Sequence, residues 1–293
     1  MRRLLPVIAL FALAASARAQ DLPQDLPQPA AQDFKVGALT VTALHDDDFS
    51  PANDGKTFAV GQSPDAVAQV LSAHGAPTAA IHMSVDALLL HDGGRVVLID
   101  TGLGYRYHGV LLGSLAKAGV APEAVTDVLI THAHPDHIGG LVSQDGKSVF
   151  PKAKVRMSAA EWDWVKSQPD LASFVGVIGP QVETFAPGAE VAPGVVAIAL
   201  PGHTPGHTLY EIHSNGARLI DIGDTAHSSI VSLEKPDWKI QFDTDQAEGA
   251  AQRRAELTRL AASGETVFAP HFPFPGIGTV ARDGDGFTWV PAK

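Results

Sequence analysis

The densest chemistry in the sequence is Thr131-His132-Ala133-His134-Pro135-Asp136-His137, which packs three imidazoles and a carboxylate into a few positions. Three histidines at this spacing after an apolar run are rare in a plain surface loop. In an extended segment residues i and i+2 face the same way, so His132 and His134 can share one metal ion. Pro135 keeps His134 out of the helical region. The chain can then turn and aim Asp136 and His137 at a second ion, before Gly139-Gly140 gives a tight backbone. Imidazole and carboxylate donors suit Zn²⁺, with Mn²⁺, Fe or Co as alternatives.

More donors stand where apolar runs open into loops. Pro201-Gly202-His203-Thr204-Pro205-Gly206-His207 follows Leu200, Gly223-Asp224 follows Ile222, and Pro270-His271 follows Ala269. Each alone reads as a structural polar residue; together with the histidine cluster they complete a ligand set on rigid strand ends. Nucleophilic catalysis has no comparable support, because there is no cysteine and no G-x-S-x-G.

The elements that must position these residues can be read from patterning. Val36 to Leu44 alternates as a strand, and polar His45 to Asp54 reads as a loop. Ser63-Pro64-Asp65 predicts a helix through Ala73, with Ser63 as N-cap and Pro64 at N1. Ser84–Leu90 and Arg95–Asp100 form a hairpin around His91-Asp92-Gly93-Gly94. Val110–Ala118 reads as a helix ending at Gly119, and Thr126–Ile130 is a buried strand feeding the histidine cluster. Further on, Val155–Met157 is a strand, Ser158–Ser167 a helix and Val195–Leu200 a strand. Thr208–His213 and Arg218–Ile222 pair around Asn215-Gly216. Asp245 to Ala262 reads as an amphipathic helix with Ala247, Ala251, Ala255 and Leu257 to Leu260 on its apolar face, followed by the strand Thr266–Ala269. Hairpin groups flanked by helices predict packed sheets with helices outside, in one domain over residues 35–293.

The chain has 293 residues, 45% of them hydrophobic, enough for a full core. Residues 1–19 have the form of a signal peptide: Arg2 and Arg3, then an apolar run, then Ala17-Arg18-Ala19. The run is too short to span a bilayer, which takes ~20 residues. The expectation is therefore a periplasmic or secreted protein with no stable membrane insertion after cleavage. Residues 20–34, rich in Pro, Gln and Asp, read as a flexible arm. Cleavage removes three arginines and shifts the formal net charge from −11 to −14. A chain this acidic, without a basic block, is not a nucleic-acid binder. A small-molecule substrate is the expected partner. The absence of cysteine suits an oxidising compartment.

The order HAHPDH, GHTPGH, GD and a late histidine resembles the metallo-β-lactamase superfamily, and Val97-Leu98-Ile99-Asp100-Thr101-Gly102 matches its early Asp motif. The resemblance covers nearly all of the mature chain and implies an α/β fold, the four-layer αββα sandwich, with the site at its edge. It further implies that His132, His134 and His203 hold one divalent ion and Asp136, His137 and His271 the other, with Asp224 bridging them. A hydroxide shared by the two ions would be the nucleophile, and Asp224 or Asp136 would pass a proton to the leaving group. His207 and Asp100 would support the ligands from behind; a turn cap is the other reading of Asp100.

Phe242-Asp243-Thr244-Asp245, Pro270 through Gly278, and the tail from Gly286 to Pro291 resemble the methyl parathion hydrolase branch. That likeness implies an esterase or lactonase with organophosphate triesterase activity. Relatives resemble dimers, although no apolar stripe here marks an interface. The rival readings are an acyl-homoserine lactone hydrolase, a periplasmic β-lactamase, a glyoxalase-like thioesterase and a metal-binding protein without turnover. Known β-lactamases lack a bridging Asp, which Asp224 supplies here. For a substrate pocket the aromatic candidates are Trp164 and Phe272, with Phe174, Phe274, Phe49 and Phe58 also near the motifs. His227, three residues after Asp224, either reaches the site or sits exposed on a loop.

Overall fold

A computed structural model describes residues 27–92 and 94–292, so the signal-like residues 1–19 and residues 20–26 of the expected arm lie outside the described residues. Two seven-stranded sheets make up the centre. The first holds, in spatial order, β1 (Ala31–Val36), β2 (Leu39–Phe49), β3 (Met83–Asp92), β4 (Arg95–Ile99), β5 (Asp127–Leu129), β6 (Lys154–Ser158) and β7 (Val182–Phe185). It is antiparallel as far as β4 and parallel from there on. The second holds β8 (Glu190–Ala192), β9 (Val195–Ala199), β10 (Thr208–Ser214), β11 (Ala217–Asp221), β12 (Thr266–Phe268), β13 (Ile277–Asp283) and β14 (Gly286–Pro291). It is antiparallel except between β11 and β12.

Period-two patterning sorts the side chains into layers. On β3, Leu88 and Leu90 face the second sheet, where they meet Ala197, Tyr210 and Phe268. Ala87 and Leu89 face outward, against Leu111 and Leu115 of α2 (Leu111–Lys117) and the region of α4 (Ala159–Ser167) and α5 (Ala172–Ile178). The outer face of the second sheet is covered by Leu257 and Leu260 of α7 (Gln246–Ser263) and by Leu233 of α6 (Val231–Glu234). The layers therefore run helix, sheet, sheet, helix, which is the αββα sandwich the motifs imply. Each fully buried Leu or Ile contributes about 1.5–3 kcal/mol to that packing. Among the described residues no helix is long and apolar enough to cross a membrane.

α1 (Pro64–Ala73) starts as its sequence predicts: Ser63 Oγ accepts the Ala66 N–H at 3.1 Å and Pro64 occupies the first turn. α3 (Pro135–Ile138) is a single turn that begins right after His134. Three expectations need correction. Residues 31–34, within the expected flexible arm, are the start of β1, paired with β2. The expected loop at His45 to Asp54 is strand as far as Phe49, because its polar residues have partners inside: His45 Nδ1 meets Asp86 Oδ1 at 2.8 Å, and Asp46 accepts the N–H groups of Leu103 and Leu111. On α7 the buried stripe is Gly249, Ala250, Arg253, Glu256, Leu257 and Leu260, while Ala247, Ala251 and Ala255 are exposed. The inward side of that helix carries a paired arginine and a glutamate, which no hydrophobic pattern displays.

Candidate metal centre

The ligand candidates come from both sheets. His132, His134, Asp136 and His137 follow β5 of the first; His203 follows β9, Asp224 follows β11 and His271 follows β12 of the second. His134 keeps an extended backbone (φ −76°, ψ 157°) under the constraint of Pro135, so its side chain returns to the same side as that of His132. His132 Nε2 lies 3.1 Å from His134 Nδ1 and 3.2 Å from His203 Nε2. Asp224 Oδ2 lies 3.1 Å from His203 Nε2. These four residues form one cluster able to hold a cation, and Asp136, His137 and His271 form a second. Asp224 Oδ1 stands 3.1 Å from His137 Nε2 and 3.0 Å from His271 Nε2, so its two oxygens reach both clusters.

The chemistry of these atoms suits cations. His137 Nδ1 lies 2.8 Å from Asp100 Oδ2, and His271 Nδ1 lies 2.8 Å from the Ser84 carbonyl. Acceptors at both Nδ1 atoms place the hydrogen there and leave a lone pair on Nε2. Both Nε2 atoms and Asp224 Oδ1 are buried, lie within about 3 Å of one another's partners and make no hydrogen bond. Lone pairs converging on a carboxylate oxygen in a buried site repel unless positive charge, a metal ion or a ring proton, sits among them. Burial opposes ionisation of Asp224, yet the surrounding imidazoles hold its carboxyl well below the usual carboxylate range. The donor set fits two divalent ions.

A set of supports lies behind the ligands. Asp100 also accepts from the Thr131 N–H at 2.9 Å and its hydroxyl at 2.7 Å. His207 Nδ1 lies 3.0 Å from the Leu200 carbonyl, and its Nε2 accepts the Asp224 N–H at 3.0 Å, so His207 holds the backbone of Asp224. His203 Nδ1 lies 2.8 Å from Asp243 Oδ1. Asp243 was visible in the sequence only as part of a family-like stretch, and Arg253 behind it carried no signal at all.

A cavity of about 260 Å³ opens over the clusters. Its walls are Phe49, Phe58, Leu103, Tyr107 and Phe242, and its floor includes His134, Asp136, Asp224, His227 and His271. Of the two aromatic candidates for this pocket, Phe272 is fully buried in the outer core against Trp289, with ring centroids 4.9 Å apart, and does not reach the cavity. It directly follows a ligand candidate, but the turn in which the Phe272 N–H donates to the Ala269 carbonyl at 3.1 Å carries its ring into the outer core instead. Trp164 touches the edge of the His134 ring at 6.0 Å and packs with the first core, and it too is not among the cavity walls. Phe49 and Phe58 do line it. His227 is buried; its Nε2 lies 3.0 Å from Asp224 Oδ2 and its ring stacks on His271 at 5.2 Å.

A family model described as the metallo-beta-lactamase superfamily matches residues 81–285. Among solved structures, AidC, a dizinc quorum-quenching lactonase in complex with the product N-hexanoyl-L-homoserine, superposes with a TM-score of 0.86 at 29% identity, over 90% of this chain and 98% of its own. Hydrolase AbOPH, of the beta lactamase superfamily, superposes with a TM-score of 0.82 at 28% identity, over 91% and 99%. The uncharacterized protein YobT of Bacillus subtilis is 29% identical over 170 residues, 54% of this chain and 70% of YobT.

Proposed function

Since the chain belongs to the metallo-β-lactamase superfamily and is a hydrolase of that kind, we propose that it cleaves aryl esters and lactones in a dizinc site. The observation that carries this reading is the cavity: aromatic and aliphatic walls stand directly above a floor of metal-ligand side chains. Such a pocket takes a flat or acyl apolar group and presents its carbonyl to the floor. His132, His134 and His203 would hold one ion, Asp136, His137 and His271 the other, and Asp224 both. When bound, the ions supply an activated water and Lewis acidity toward the carbonyl oxygen.

The residues of the chain do the remaining work. Asp224 fixes the separation of the two clusters through its two oxygens. Asp136, the more exposed of the two acids on the cavity floor, is placed to hold a proton for the departing alkoxide or phenoxide. His227 faces the cavity beside Asp224 and offers a polar contact to a bound substrate. The Phe and Tyr walls give an aryl or acyl group an apolar surface to lie against.

Two finer assignments belong to this reading. Membership of the methyl parathion hydrolase-like branch rests on the Phe242–Asp245 and Pro270–Gly278 stretches, and makes organophosphate triester cleavage a side reaction of the same site. An acyl-homoserine lactone is the second reading, favoured by the likeness to AidC. The deciding measurement is kcat/KM of the zinc-loaded protein for an aryl lactone, N-hexanoyl-homoserine lactone and a methyl organophosphate triester side by side. The aryl lactone leading by orders of magnitude supports the proposal, and the triester leading overturns it. Export and dimerisation are proposed from residues 1–19 and from the family likeness respectively. They are tested by the N-terminal mass of the secreted protein and by light scattering.

A further inference from the structure

Glu161, on the first turn of α4, is fully buried. One of its oxygens accepts the Ala133 N–H at 2.7 Å. The other accepts the Thr204 hydroxyl at 2.6 Å and the Gly206 N–H at 3.0 Å. A buried carboxylate is tolerated only when such donors satisfy it. Ala133 lies between His132 and His134, and Thr204 follows His203. One carboxylate thus ties together the two loops that supply every imidazole of the first cluster.

The packing around it holds the two loops close to α4. Ser158 caps α4 by accepting the Glu161 N–H at 3.1 Å, and its hydroxyl donates to the Gly206 carbonyl at 2.8 Å. A Cβ at Gly206 would collide with the Glu161 backbone, so only glycine lets the second loop lie against the helix. The second cluster is braced by different groups. His137 is held through Nδ1 by Asp100 and through its carbonyl by the Thr101 N–H and hydroxyl, both at 2.8 Å; His271 is held by the Ser84 carbonyl.

We propose that Glu161 is the positioning residue of the first metal cluster: it sets the distance between the His132/His134 loop and the His203 loop, and so controls the affinity for that ion alone. The proposal rests on the two-cluster geometry and not on the substrate reading, and its test uses no substrate. In Glu161→Gln the amide oxygen can serve one loop only, while the NH₂ is pushed against an N–H of the other.

The test is a competition titration of zinc against a chromophoric chelator in two single-site backgrounds. His271→Ala weakens the second cluster and reports on the first; His134→Ala does the reverse. We expect E161Q to lower zinc affinity about 10- to 100-fold in the H271A background, and to change it by less than about threefold in the H134A background. A general loss of stability would weaken both. Equal losses in the two backgrounds, or no loss in H271A, overturn the proposal. If E161Q does not fold, Thr204→Val, which deletes one hydrogen bond to the carboxylate, decides by the same comparison. It is expected to cost about five- to tenfold in H271A only, and the same two results overturn it.

Discussion

Asp243 sits between His203 and Arg253: its Oδ1 is 2.8 Å from His203 Nδ1, its Oδ2 is 2.9 Å from Arg253 Nη2, and all three side chains are buried. Burial opposes its ionisation, but the His203 hydrogen bond and the Arg253 charge keep its carboxyl below the usual range. An ionised Asp243 fixes the tautomer that turns His203 Nε2 toward the first cluster. Arg253 also donates to the carbonyls of Thr225, Pro236 and Trp238, tying α7 to the loops around the site. Asp243→Asn sets an amide NH₂ against one of these two cationic or N–H partners. Zinc affinity in this variant is expected to fall about 10- to 100-fold, read by chelator competition. Arg253→Met leaves the buried Asp243 Oδ2 without its cation, with only His203 on the other oxygen, and is expected to cost about 3–5 kcal/mol in urea unfolding of the metal-loaded protein.

His134 is the cluster ligand on the cavity floor that also touches Trp164. His134→Ala removes one donor of the proposed first ion site, and His134 is not part of the hydrophobic core. Because that ion's contribution is worth several kcal/mol, hydrolysis is expected to drop about 10²- to 10⁴-fold. Excess zinc should restore part of it. An alanine variant with full activity at limiting zinc would remove the metal mechanism.

Phe272 and Phe242 give opposite responses. Phe272 is fully buried in the outer core, so Phe272→Ala is expected to cost about 3–5 kcal/mol of stability with KM unchanged in the folded fraction. Phe242 is 50% exposed and meets Phe58 at the cavity wall with ring centroids 5.9 Å apart. Phe242→Ala is expected to stay within about 0.5 kcal/mol of the parent in stability and to raise KM for aryl substrates. Denaturation curves and initial rates on the two variants separate the roles.

Asp46 makes a pH prediction. Burial raises its carboxyl from 3.8 to about 6, against the lowering effect of the Leu103 and Leu111 N–H groups. The folded state thus binds this proton more tightly than the unfolded chain. The associated stability is complete below pH 3.8 and is lost as pH rises through about 6. The loss amounts to about 3 kcal/mol at 1.36 kcal/mol per pH unit. The parent should therefore lose about that much stability relative to Asp46→Asn between pH 4 and pH 8. A stability difference between the two proteins that does not change with pH would show that Asp46 does not titrate in this range.

What the sequence shows and what it hides follow from where the relevant partners lie. The helix at Pro64 and the constraint of Pro135 on His134 depend on neighbours a few residues away, so local chemistry is enough to read them. β2 running on through His45 and Asp46 depends on Asp86, Leu103 and Leu111, which no window contains. β1 looks like tail because its exposed face is polar, and only its pairing with β2 makes it a strand. The ligand candidates stand out because metals demand rare residue types. Their supports, Glu161, Asp243 and Arg253, are common residue types that only the tertiary structure brings to the site.

The first cluster draws His132 and His134 from the end of β5 in one sheet and His203 from the end of β9 in the other; the second draws Asp136 and His137 from the first sheet and His271 from the second. An ion held in either cluster would therefore close across the seam of the sandwich, adding to the apolar packing and to the backbone hydrogen bonds from the Thr208 N–H to the Thr131 carbonyl and from the Asp86 N–H to the Pro270 carbonyl that already join the two sides there. In hydrogen-exchange terms such ions would couple the opening of the two sheets more tightly. The amides at the ends of β5 and β12 should gain protection together on zinc binding, although they lie far apart along the chain and on different sheets.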